Sequence, residues 1–163
     1  RFCLFVQRRR VRNTKLPWGC SESAYASLDP AMVYRYKAHG CARLALKRGM
    51  DEELVISPYS SFLSLAIDPE GSIRNLRRLE AFGALGRFGF IEALDFTPGR
   101  CRSSSGEQVR CYMAHHVGMS ITAAANAAHK VTSRLTKSRI LDMKRNSPLQ
   151  SRKYTFFYCH ICN

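Results

Sequence analysis

Carboxylates are scarce in this chain: its 163 residues hold 12 Asp and Glu against 26 Lys and Arg, a formal net charge of +14. Such a balance excludes an acidic solvating segment and would ordinarily point to nucleic acid or an anionic membrane surface. The distribution argues otherwise. Residues 1–16 carry six Lys or Arg and no acid, and residues 129–163 carry eight against the single Asp142. That leaves 12 basic and 11 acidic residues between Pro17 and Ala128, so the three segments sum as +6, +1 and +7. The middle of the chain is balanced, and no specific nucleic acid is expected as a partner.

A cysteine framework is also missing. Seven cysteines stand at 3, 20, 41, 101, 111, 159 and 162, an odd set without repeating spacing, which excludes a disulfide scaffold. Cys159 and Cys162 form one CxxC, short of the four ligands of a closed zinc site. No apolar run approaches the roughly 20 residues that cross a bilayer, and the opening RFCLFVQRRR is not ordered like a signal peptide. Tryptophan occurs once, at Trp18. What is present is a hydrophobic content of 45% with 10% aromatics, enough for a globular core. The first residue is Arg, and the last 35 residues turn basic and aperiodic around an aromatic run, Tyr154 to Tyr158. Both ends read as the borders of a fragment: a basic segment 1–16, a body 17–128 and a tail 129–163, non-native or disordered.

Helix signals are good inside those ends. Ser57-Pro58 offers an N-cap and a first-turn proline, followed by Tyr59, Phe62, Leu63 and Ala66 on one face. Asp68-Pro69-Glu70 repeats the start signal for a helix with Ile73, Leu76 and Leu79 on its apolar side, ended by Gly83 and Gly86. A third helix is predicted from about Tyr112 to Ala128, and Cys101 to Gln108 reads as a surface loop. YRYKAHGCARLALKRGM is open between short strands and a bent helix. The expected fold is mainly α, with long connections carrying the unusual residues, as in a helical barrel with a loop-built site.

Two runs carry the chemistry. LPWGCSESAYASLDP holds Trp18, Glu22 and Tyr25, and GRFGFIEALDFTPGR holds Phe88, Phe90, Glu92, Asp95 and Phe96. Sugar-cleaving sites need this mixture, because an aromatic face stacks on a pyranose while two carboxyl groups divide the work. Retention requires them about 5–5.5 Å apart and inversion roughly 6.5–9.5 Å. Blander readings stand beside these: Glu22 can cap a helix, and Glu92 can be a solvated residue on an amphipathic turn. For the adjacent His115 and His116 a metal role lacks the i, i+4 partner.

The blocks PWG-SESAY, PY, GRFGF-EALDFTP and MAHH-GMS, in that order between about Pro17 and Ala128, resemble the central region of bacterial cyclic β-1,2-glucan synthases, a glycoside-hydrolase-type transglycosylase domain related to endo-β-1,2-glucanases. The resemblance implies a partial (α/α)6 barrel and retaining transglycosylation that closes a β-1,2-glucan ring. It implies Glu22 as nucleophile and Glu92 as acid/base, with the roles exchangeable, and Trp18, Tyr25, Tyr59, Phe88, Asp95, His115 and His116 as sugar-subsite residues. It implies no cofactor and no metal, since such transfer needs none. The longer protein is expected in the bacterial inner membrane, this region cytoplasmic, beside glucosyltransferase and phosphorylase-like domains. Cys20 and the Cys41-Ala42-Arg43 turn depart from the usual pattern, as do both ends, so activity of the fragment alone is not expected. Alternatives are an endo-β-1,2-glucan hydrolase, a non-catalytic basic fragment that binds RNA or anionic lipid, and a non-functional remnant of a broken reading frame.

Overall fold

A computed structural model describes residues 1–41, 44–45 and 48–145. The CxxC at Cys159–Cys162, the aromatic run and residues 42–43 of the departing turn lie outside the described residues. The chain divides into two units, Arg1–His129 and Lys130–Asn163.

The first unit corrects the expected fold. Instead of a mainly α body it holds seven short strands in three small sheets among its helices, and no helical barrel is present among the described residues. The reason is local. Between Trp18 and Met50 small, aromatic and charged residues give no 3.6-residue apolar stripe, and residues 22–38 pair as a hairpin. Strand β1 (Glu22–Leu28) runs antiparallel to β2 (Tyr34–Ala38), with Glu22 opposite Ala38 and Ala24 opposite Tyr36. Their connection is an Asx turn: the Asp29 carboxylate accepts from the amides of Ala31 at 2.9 Å and Val33 at 3.0 Å.

The central sheet has the order β3 (Val55–Ile56), β6 (Ala93–Asp95), β7 (Glu107–Val109), all antiparallel. Alternation splits its side chains between two cores. Ile56 and Leu94 pack with Leu79, while Val55, Ala93 and Val109 pack with Ala24 of β1. The middle strand is therefore buried on both faces. ALD is a strand because it is the seam between two apolar layers. The small hairpin β4 (Leu85–Gly86) and β5 (Gly89–Phe90) turns through Arg87-Phe88, with Gly89 at φ 104°, and leaves Phe88 at its exposed tip.

Where the sequence carried explicit start and stop signals, the helices follow them. Pro58 opens α2 (Pro58–Ser64) after Ser57. Its Tyr59 is buried, whereas Leu63, expected on the same face, is exposed. Asp68 caps α3 (Pro69–Ala81), accepting from the Gly71 amide at 3.0 Å. Gly83, at φ 82°, ends it: its amide donates to Glu80 O and the Ala84 amide to Leu79 O, a Schellman closure. The basic segment at the start of the chain is itself a helix, α1 (Phe2–Arg10), tied to the body. Gln7 clamps the Cys20 backbone from both sides, at 2.8 and 2.7 Å. Arg10 donates to the carbonyls of Gly40, Asp51 and Glu53. Helix α4 starts at Ala114 and is described to Arg145. Of the second unit, residues 130–145 are helical, where the sequence reading placed an aperiodic tail.

Candidate active site

The site forms where β1, β2, α2 and the start of α4 bring side chains to the residue before β6. Glu92 is buried and His116 is 3% exposed, and the His116 Nδ1 lies 2.8 Å from Glu92 Oε1. The same oxygen accepts from the amide of Ala24 at 3.2 Å. Tyr59 lies flat on the imidazole, ring centroids 3.8 Å apart and planes 9° apart. Its hydroxyl bonds Ser21 Oγ. Glu92 is thus neither solvated nor on a surface turn, and Glu22 starts a strand instead of capping a helix.

Glu22 stands at the open side of this group. One carboxylate oxygen of Glu22 and one nitrogen from each of His115 and His116 all lie within 4.8 Å of one another. Tyr36, from β2, points its hydroxyl between the two imidazoles, 3.4 Å from Nε2 of each. Partial burial and the Glu22 charge push the Tyr36 phenol up to about 12, so it stays protonated near neutral pH. Burial pushes Tyr59 up as well, and Glu22 and Glu92 both add to its shift. The two glutamates therefore flank one imidazole ring. Beside them opens a cavity of about 280 Å³, lined by Tyr59, Phe62, Phe90, Glu92, Tyr112 and His116. Phe88 stands at its rim, 74% exposed and edge-on to Tyr112.

Of the predicted site residues, Glu22, Tyr59, Glu92, His115 and His116 come together and Phe88 borders the cavity. Three do not join them. Trp18 is buried in a different place, its amide bonded to Asn75 Oδ1 at 3.1 Å and its ring under the Arg8 guanidinium. It lines a separate basic cleft of about 630 Å³ with Arg8, Arg12, Arg74 and Arg78. Tyr25 lies an odd number of residues from Glu22 along β1 and packs instead on His39 and under Lys37 and Arg100.

Asp95 is fully buried, but it is locked. It accepts from Arg100 Nε at 2.7 Å, from the Thr97 amide at 3.0 Å and from the Ala26 amide at 3.1 Å. Burial alone would raise its pKa; the bonds from Arg100 and Thr97 outweigh that and hold it below the ordinary carboxylate range. Arg100 reaches on to Glu53 at 2.6 Å and holds that carboxyl down at about 2. His39 sits 3.4 Å from Glu53, yet burial outweighs the attraction and lowers it to about 4, so near neutral pH this contact involves an uncharged ring.

Sequence reasoning missed Tyr36, Ser21 and Tyr112. Tyr36 had a signal, since alternation in YRYKA puts Tyr34 and Tyr36 on one side of any strand there. Ser21 and Tyr112 had none.

A family model, Glycoamylase, described as a glucoamylase family, matches residues 5–139. The chain belongs to the Glycoamylase family. The match begins before and ends after the 17–128 stretch that carries the motif blocks, so it takes in most of α1 and much of α4. Over 126 residues, 76% of the chain, it is 44% identical to the cyclic beta-(1,2)-glucan synthase NdvB of Rhizobium meliloti (strain 1021). It spans 4% of that protein's length.

Proposed function

We propose that this member of the Glycoamylase family supplies the catalytic carboxylates of a carbohydrate-active site, and that the reaction is retaining transglycosylation closing a β-1,2-glucan ring within a longer synthase. The observation that carries the reading is Glu92 buried against His116 with Glu22 on the open side of the same imidazole.

The chemistry divides as the burial does. Glu92, walled by Tyr59 and His116, delivers a proton to the glycosidic oxygen while Glu22, exposed on the open side of His116, attacks the anomeric carbon. The glycosidic bond breaks, the protonated fragment leaves, and the glucosyl chain is held as an ester of Glu22. Glu92, now a carboxylate, takes the proton of a hydroxyl at the far end of the same glucan chain. That oxygen attacks the anomeric carbon, Glu22 departs as carboxylate, and the ring closes. Tyr59, Phe88, His115 and His116 line the approach as sugar contacts. The division of the chain into a basic segment 1–16, a site-bearing body 17–128 and a tail 129–163 belongs to the same reading, with glucosyltransferase and phosphorylase-like partner domains in a bacterial inner-membrane protein and this region on the cytoplasmic side. No helix among the described residues is long and apolar enough to cross a membrane.

Hydrolysis of β-1,2-glucan is the second reading, favoured by the glucoamylase description of the family. It differs only in that water resolves the ester. Product analysis on the longer protein separates the two: rings and lengthened chains mean transfer, short linear sugars mean hydrolysis. Full cyclic-glucan yield from either Glu22→Gln or Glu92→Gln in that protein overturns the assignment.

A further inference from the structure

We infer that Glu22, His115 and His116 form a binding site for a first-row divalent cation of zinc type, and that filling it closes the site to glucan. The cation binding stands on geometry alone; the closure rests on the glucan reading above.

The donor atoms of the three residues already lie within 4.8 Å of one another. Ligands held about 2.0–2.2 Å from a zinc ion are separated by no more than roughly twice that distance. Small side-chain rotations therefore suffice, and Glu22 and His115, both exposed, are free to make them. The third donor is already fixed. His116 is buried, stacked on Tyr59, and bonded through Nδ1 to Glu92, which leaves Nε2 directed toward Tyr36 and His115. A carboxylate on the far nitrogen of a ligating histidine sets its tautomer and raises its basicity. Two histidines and one carboxylate, with a fourth position open beside the Tyr36 hydroxyl, are a donor set suited to zinc or cobalt and not to the oxygen-seeking calcium or magnesium.

Adjacent histidines on one helix ordinarily diverge. Here they lie in the first turn of α4, with ring centroids 4.0 Å apart, and the third donor comes from β1, so no i, i+4 partner is needed. The positive end of α4 opposes a nearby cation, and the carboxylates of Glu22 and Glu92 oppose that field. The consequence for chemistry is direct. A cation bound there takes the carboxylate that would attack the sugar and two of the imidazoles that would contact it.

The test is a titration of the full 163-residue chain with Co²⁺, read by visible d–d absorption, and with Zn²⁺, read by calorimetry. Both are run in a Cys159→Ser/Cys162→Ser background so that the C-terminal thiols contribute nothing. One ion per chain is expected, with a four-coordinate nitrogen and oxygen spectrum. Because His115 is exposed, His115→Gln removes a donor without a buried vacancy and should weaken binding more than about 10-fold. Glu92→Gln should weaken it about 10- to 100-fold by loosening His116. Absence of a d–d band, or affinity unchanged in His115→Gln and Glu22→Gln, overturns the site. In the longer protein, added Zn²⁺ should suppress glucan turnover and a chelator restore it. Binding without suppression overturns the closure and leaves the cation site standing, while a longer protein with no action on glucan at all removes the glucan reading and leaves the titration untouched.

Discussion

Glu92 and Asp95 lie three residues apart, both buried, both accepting a backbone amide from the same strand, Ala24 for one and Ala26 for the other. Their remaining partners differ, and that decides what each can do. Asp95 faces a guanidinium that is always charged, and Arg100 is itself shared with Glu53. Such a carboxylate has no proton to give and no freedom to move. Glu92 faces an imidazole in place of a guanidinium, and one side of the pair borders a cavity. Burial of an acid is thus a poor indicator of function until the partner is named.

The sharpest way to separate the two acids is to neutralise each in turn. Glu92→Gln keeps size and packing, so melting temperature should hold nearly constant while glucan turnover in the longer protein falls about 10²–10⁴-fold. Wild-type turnover in that variant would remove Glu92 from the proton-transfer role. Asp95→Ala should do the reverse. It leaves the Arg100 cation without its nearest buried partner and should lower unfolding free energy by about 3–5 kcal/mol in denaturant titration. A midpoint shift below a quarter of that would mean Arg100 finds water or Glu53 sufficient.

The two imidazoles extend the contrast. His39, beside the Asp95 network, folds as a neutral ring with its affinity for protons lowered to about 4 by burial. The unfolded state binds the proton first, so stability is full above roughly pH 6.5 and falls as pH drops toward 4. The loss amounts to about 3 kcal/mol. Glu53, held at about 2, adds to the decline below its ordinary range near 4.5. His39→Phe should flatten the upper part of that decline in urea titrations between pH 7 and 4. A slope identical to wild type would place the proton elsewhere.

Smaller effects are expected at α3, remote from both acids. Gly83→Ala forces a side chain into the left-handed region and should cost about 1–2 kcal/mol. Asp68→Ala removes the N-cap and should cost about 1 kcal/mol. Both should leave glucan turnover and cation binding unchanged, and a change in either would show that α3 reaches the site.

These same residues show what was legible beforehand. Asp68-Pro69 and Gly83 act through their own backbone, so α3 could be read nearly to its ends. The strands could not, because SESAYASL shows no apolar alternation and ALD is apolar on both sides; β6 pairs with β3 about 40 residues away, and the Ala24 and Ala26 amides of β1 are met by acids 68 and 69 residues away. Site residues divided in the same manner. Motif blocks drew attention to Glu22, Glu92 and the histidines, which do meet. Closeness in sequence misled for Trp18 and Tyr25: Trp18 turns toward α3, and strand alternation carries Tyr25 to the opposite face from Glu22.

Arg10 offers a last point about charge. Its guanidinium spans the carbonyls of Gly40, Asp51 and Glu53, tying the end of the β2 segment and the residues before β3 to the opening helix. A residue that composition counts toward attraction for polyanions behaves as an internal rivet. Raising salt would hardly loosen it, since what it grips are dipoles at contact distance rather than distant ions. Part of the +14 of this chain is therefore architecture facing inward, and its ionic-strength response should be weaker than its isoelectric point implies.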